Sequence, residues 1–126
     1  MKKIISTTAA PAAVGPYSQA VRAGNFLFCS GQIPIDPATG NFVEGGVEQQ
    51  AEQVLKNVRA VLEGAGYTLS DVIKATVFAT SMGDFAVVNG VYARHFDKEP
   101  PARSFVEVSA LPKGALVEIE VVAWKE

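Results

Sequence analysis

The chain has 126 residues, 48% of them hydrophobic and 19% charged, with a net charge of −2. That length suits one domain, spanning residues 1–126, that buries roughly two-thirds of its unfolded surface, and the composition excludes a disordered chain. The acidic balance and the lack of a basic run argue against a nucleic-acid partner. Nothing is apolar enough for a signal peptide or a membrane span, so the reading is soluble and cytoplasmic, with no membrane partner. One His (His95) and one Cys (Cys29) cannot supply a metal site of the Cys/His kind or an internal disulfide. No phosphate-cradling glycine loop is present, so no metal and no cofactor are expected.

In chain order, Lys3 to Thr7 suits a short edge strand. Two prolines and a glycine between Ala9 and Pro16 make an ordered loop. Tyr17–Ala23 and Phe26–Gln32 are predicted strands, joined by the hairpin pair Gly24-Asn25. A turn at Asp36–Gly40 precedes a helix that Gly45-Gly46 opens and Gly64 and Gly66 stop. Val47, Ala51, Val54, Leu55, Val58, Val61 and Leu62 recur there at helical spacing. Asp71 to Thr80 alternates as a strand, with Ile73, Ala75, Val77 and Ala79 on one face. Asp84 is placed to cap a second helix whose buried stripe is Phe85, Val88, Tyr92 and Phe96. His95, near its end, reads as a surface residue favoured by the helix dipole. Cys29 reads as a small core residue.

After Pro100-Pro101 come two more strands. Arg103, Phe105 and Glu107 share one face of the first. In the second, Val117, Ile119, Val121 and Ala123 oppose Glu118, Glu120, Val122 and Trp124. Pro112 and Gly114 suit a type I turn, which would bring the two strands close in space. A guanidinium can grip a carboxylate through paired hydrogen bonds, and a nearby Glu can move a proton. Arg103 with the downstream glutamates therefore points to a site for a small acid. The fold class is α+β, a mixed sheet of about six strands with two helices on one face. Phe78, Phe105, Val122 and Trp124 are expected on the uncovered face, which other subunits would bury.

Several strings together carry a family resemblance. They are Gly15-Pro16-Tyr17-Ser18-Gln19-Ala20, Ser30-Gly31-Gln32-Ile33-Pro34, Asp36-Pro37-x-Thr39-Gly40, Asn57-Val58 and Asp84-Phe85-x-x-Val88-Asn89. Pro101-Ala102-Arg103-Ser104, Leu111-Pro112-Lys113 and Val117-Glu118-Ile119-Glu120 complete the set. The chain resembles the RidA family, also called YjgF, nearly end to end. The resemblance implies a chorismate-mutase-like fold and a homotrimer with sites between subunits. It also implies 2-iminobutanoate/2-iminopropanoate deaminase activity on imines and enamines such as 2-aminoacrylate and 2-aminocrotonate, giving 2-keto acids and ammonia. An imine carbon is already electrophilic, so orientation and proton management suffice.

By the same resemblance Arg103 holds the substrate carboxylate and Glu118 activates water. Tyr17, Ser30, Gly31 and Asn89 line the cleft. Phe105 stands where some members carry a Cys, which removes a thiol but leaves its backbone N–H and C=O available to substrate. Glu120 is read as structural. A non-catalytic module binding 2-keto acids through Arg103 is the alternative. The ribonuclease activity reported in the family finds little support in an acidic chain with one His.

Overall fold

The computed structural model describes residues 1–126. Six strands form one mixed sheet: β1 (Lys3–Ile5), β2 (Ala20–Ala23), β3 (Phe26–Gln32), β4 (Val72–Ala79), β5 (Ala102–Glu107) and β6 (Val117–Trp124). Their spatial order is β1-β2-β3-β6-β4-β5, and only the β4–β5 pair is parallel. Parallel neighbours need a long crossover, which helix α2 (Phe85–His95) supplies between them. The other helix, α1 (Val47–Gly64), connects β3 to β4. Neither helix is long and apolar enough to cross a membrane.

Helix α1 forms where its apolar residues recur at helical spacing. The Gln49 side chain accepts a hydrogen bond from Gly46 N–H at 3.0 Å, satisfying one of the free donors at the helix start. Past the helix end at Gly64, Gly66 has a φ of 83° that lets Tyr67 N–H reach back to Leu62 C=O. Ala51, Val54, Leu55, Val58, Val61 and Leu62 are fully buried against the sheet. From the strands, Leu27, Ala75, Val77, Val117, Ile119, Val121 and Ala123 fill the same core. The alternation in β6 is therefore as its residues suggest, and so is the two-residue hairpin, with Gly24 at φ 60° and Ala23 paired to Phe26.

The structure corrects several expectations. The β1 and β2 strands are shorter than their apolar runs. In β4 a register shift between Val72 and Lys74 puts Val72 in the core and leaves Ile73 exposed, because an extra residue inverts the alternation upstream of it. Phe85 is also exposed, while Val91 joins the buried stripe of α2. Asp84 makes no side-chain cap; Ser81 instead accepts a bond from Gly83 N–H in the preceding turn.

His95 is not a surface residue. Its side chain is buried, with Nε2 2.6 Å from Glu52 Oε2 on α1. Arg94 also reaches Glu52, at 3.2 Å. Burial alone would raise the Glu52 pKa, but these two partners together hold it below the usual carboxylate range. Cys29 does lie in the core, where burial pushes its thiol up to about 12.

The turn before β6 is not type I. Lys113, at its third position, has φ 57°, the left-handed value that a type II turn requires there. Nor do the strands flanking it pair, since β4 lies between β5 and β6. A connection of this length leaves room for a third strand, and the turn residues alone do not decide strand order.

Candidate active site

The two faces of the sheet divide the expected site residues. Paired residues on neighbouring strands share a face. Ala75 and Val77 point into the helix-side core, so their β5 partners Arg103 and Phe105 lie on that side. Glu118 is paired with Phe78, on the opposite, open face. Phe105 thus leaves the uncovered face to which its pattern assigned it, and packs edge-on against Phe85 with ring centroids 4.7 Å apart.

On the open face, a cavity of about 500 Å³ has Tyr17, Ser30, Gly31, Lys113, Glu118 and Glu120 among its lining residues. Between Cys29 and Gln32 the pairing of β3 with β6 slips by one residue, a bulge that falls at Ser30-Gly31. That bulge carries the Gly31 α-carbon onto Glu118. A Cβ at Gly31 would overlap Glu118 Oε2 and lie 2.8 Å from its Cδ. Only glycine lets the carboxyl occupy this position. Burial raises the Glu118 pKa, and the neighbouring charge of Glu120 raises it further. Within the chain Arg103 lies on the other face and is not among the causes of this shift.

Ser30 ties the bulge to the N-terminal loop. Its hydroxyl donates to Ser18 C=O at 2.6 Å, and its N–H donates to Gln19 C=O at 2.9 Å. The hydroxyl hydrogen is thus engaged, leaving oxygen lone pairs for a ligand. Tyr17, half-exposed, sits on that loop at the cavity wall.

The second group of residues is at the β5 edge. Arg103 Nη1 donates to Asn89 Oδ1 on α2 at 2.7 Å. Its guanidinium lies over the rings of Tyr92, Phe105 and Phe85 at 4.8, 5.4 and 5.8 Å. Such stacking holds a planar cation in place while leaving its in-plane N–H groups free. No carboxylate of the chain pairs with Arg103; the ion pairs all join Arg94 or His95 to Glu48 or Glu52. Asn89 therefore acts on Arg103 directly. The Tyr92 hydroxyl is buried without a hydrogen-bond partner, and burial raises its pKa against the opposing charge of Arg103.

Pattern reasoning passed over several residues that build these two regions. Gln19 and Asn57 stand out in the sequence only as members of longer strings, yet both are buried polar side chains. Asn57 Nδ2 donates to Ile33 C=O at 3.2 Å and to Ile35 C=O at 2.9 Å, fixing one wall of the cavity. An amide on an otherwise apolar helix stripe was the available signal.

A six-stranded mixed sheet with two helices on one face and a glycine-lined carboxylate on the other places the chain among the single-sheet α+β proteins. The chain matches the endoribonuclease L-PSP family over residues 7–125 and belongs to it; this is the RidA/YjgF family. It is 58% identical to a RutC family protein of Pyrococcus horikoshii, with 100% of each chain covered. It is also 47% identical to the mouse 2-iminobutanoate/2-iminopropanoate deaminase, covering 98% of this chain and 91% of that one. The crystal structure of Escherichia coli TdcF with bound serine superposes with a TM-score of 0.95 at 46% identity, covering 98% of this chain and 99% of that one.

Proposed function

We propose that the protein hydrolyses short 2-imino acids, such as 2-iminobutanoate and 2-iminopropanoate, to 2-keto acids and ammonia. Membership of a family that includes deaminases supports the reaction class. The observation that carries the reading is Glu118, a half-buried carboxyl in a cavity, held by a glycine bulge and with a raised pKa. A base tuned upward is better matched to proton transfer near neutral pH than an ordinary carboxylate.

In the proposed reaction, Glu118 accepts a proton from water as the water oxygen bonds to C2 of the protonated imine. The same carboxyl then returns that proton to nitrogen. The C2–N bond breaks in the tetrahedral intermediate, ammonia leaves with the electron pair, and the Glu118 carboxylate takes the hydroxyl proton as the ketone forms. Arg103 holds the substrate carboxylate through the in-plane N–H groups left free by its stacking. Tyr17, Ser30 and Gly31 line the Glu118 side; Asn89 and the Phe105 backbone belong to the Arg103 side.

The two sides cannot serve one substrate within a chain, because they occupy opposite faces with β4 intervening. We infer a homotrimer in which the β5 edge of one subunit closes the Glu118 cavity of the next. Phe26, Phe28 and Trp124 are exposed on the open face, where such a neighbour would cover them.

The test is ammonia release from freshly generated 2-aminocrotonate, with the parent protein and with Glu118→Gln. The variant should lose about a hundred- to ten-thousand-fold in kcat while keeping 2-ketobutyrate binding. Parent-like turnover would remove Glu118 from the chemistry. A parent that binds 2-ketobutyrate but never accelerates hydrolysis would be a binding module. A ribonuclease reading has little to stand on, since His95 is engaged by Glu52 and lies outside the cavity.

A further inference from the structure

Among the groups that the proposed chemistry leaves unused, the side chain of Gln19 has the densest set of polar contacts. It is 3% exposed and lines the Glu118 cavity. Its Oε1 accepts from Thr7 N–H at 2.7 Å. Its Nε2 donates to Thr7 C=O at 3.0 Å and Pro11 C=O at 2.7 Å, with Ala10 C=O at 3.5 Å. One amide thereby serves main-chain groups at both Thr7 and Pro11. The segment between them has no ladder partner of its own, and the loop it leads into carries Val14 and Tyr17 to the cavity wall.

The other end of that loop is also anchored, but by the site itself. Ser30, on the bulge that places Gly31 against Glu118, holds Ser18 C=O and Gln19 C=O. Gln19 therefore contributes twice: its main chain joins the loop to the bulge at Ser30-Gly31, and its side chain joins the loop to Thr7, just beyond β1. A loop of 10 or so residues free at one end samples many conformations, and each fixed residue removes roughly 1–2 kcal/mol of that freedom. Fixing it beforehand spares the substrate that ordering step.

We propose that Gln19 is a positioning residue of the site, whose buried amide latches the Pro11–Tyr17 loop and so sets where Tyr17 meets the substrate. The assignment rests on the imine-hydrolase reading above. Gln19 touches no reacting atom. It acts through Tyr17 and through the part of the cavity wall formed by Pro11 and Val14, so its loss weakens binding more than it slows proton transfer.

Gln19→Leu is close in size and removes every side-chain hydrogen bond, leaving Thr7 and Pro11 main-chain groups unpartnered. KM for 2-iminobutanoate should rise about tenfold or more, with kcat within about threefold of the parent. Gln19→Asn keeps the amide but shortens its reach, and should shift KM in the same direction by less. Should the leucine variant fail to fold, the asparagine variant decides alone.

Hydrogen exchange gives a second readout, since Thr7 N–H should lose protection in both variants while the β4 and β6 amides keep theirs. The control is Val61→Ala, a core truncation in α1 that lowers stability without touching the loop. A purely structural role for Gln19 would make its variants behave like this control, with less folded protein, a lower apparent kcat and an unchanged KM. Parent-like KM in a folded Gln19→Asn protein, with Thr7 still protected, overturns the latch. If the parent protein itself shows no turnover, the reaction assignment fails instead, and the exchange result still reports on the latch.

Discussion

The Glu118 region and the Arg103 region solve the same problem, holding a charged group still, by different means. Glu118 is positioned by backbone: a bulge at Ser30-Gly31, an absent Cβ, and a loop tied down by Ser30 and Gln19. Arg103 is positioned by side chains: three aromatic rings and the Asn89 amide. A backbone-built position admits almost no substitution at its support, whereas a stacked one should tolerate changes among its flat neighbours. The difference also follows the charge chemistry. A titratable carboxyl is left partly desolvated beside a second carboxyl, while a permanently charged guanidinium is placed over π faces.

The largest effect should come from asking whether the two regions act across a subunit boundary. Arg103→Ala and Glu118→Gln proteins should each be nearly inactive, yet mixing them after reversible dissociation should restore a substantial part of the activity. No restoration at any ratio, with exchange of subunits confirmed by mass spectrometry, would show that both groups must come from one chain.

Next is the backbone support. Gly31→Ala should push the Glu118 carboxyl off its position and lower kcat by about a hundredfold, the scale of a misplacement near 1 Å. Retained kcat in a folded variant would mean that Glu118 works equally well from another rotamer. For the stacked region, Arg103→Lys should lower kcat/KM by about ten- to a hundredfold, because a point charge replaces a paired grip worth about 1.5–3 kcal/mol. Titrating each variant with 2-ketobutyrate checks that the loss is in binding; unchanged affinity would contradict the anchor role.

The smallest effect concerns stability and pH. In the single folded chain the pKa of Glu118 is raised above its unfolded value, by burial and then by Glu120. The folded protein therefore binds this proton more tightly, and the group contributes stability below the ordinary carboxylate pKa that is lost as pH rises through the raised value. Glu118→Gln removes the need to ionise a desolvated carboxyl. Its Tm should exceed the parent's by a few degrees at pH 7 and converge with it near pH 4, as thermal scans can show. A higher Tm with lost turnover would mark Glu118 as a group kept at the expense of stability. The same titration should make parent activity rise with pH through the raised pKa, as a base requires.

Periodicity made much of the fold legible. The apolar faces of α1 and β6 and the Gly24-Asn25 hairpin depend on contacts a few residues apart or on one face of one element. The family strings identified Arg103 and Glu118 together, but nothing local showed that they lie on opposite faces. That depends on β4 entering between β5 and β6, and on β5 running parallel to it with α2 as the crossover. Ile73 was misplaced for a related reason: a register shift inverts alternation, and its signal is in the partner strand.

By itself, then, the sequence determined where the helices and strands fall, the apolar faces of α1 and β6, and which family the strings belong to, because those follow from short-range spacing and residue type. Tertiary structure alone decided the strand order, the meeting of Gly31 with Glu118, the aromatic bed beneath Arg103 and the contacts of Gln19. Each of these joins residues distant in the chain, and their approach is set by how the whole sheet and its helices close on a common core.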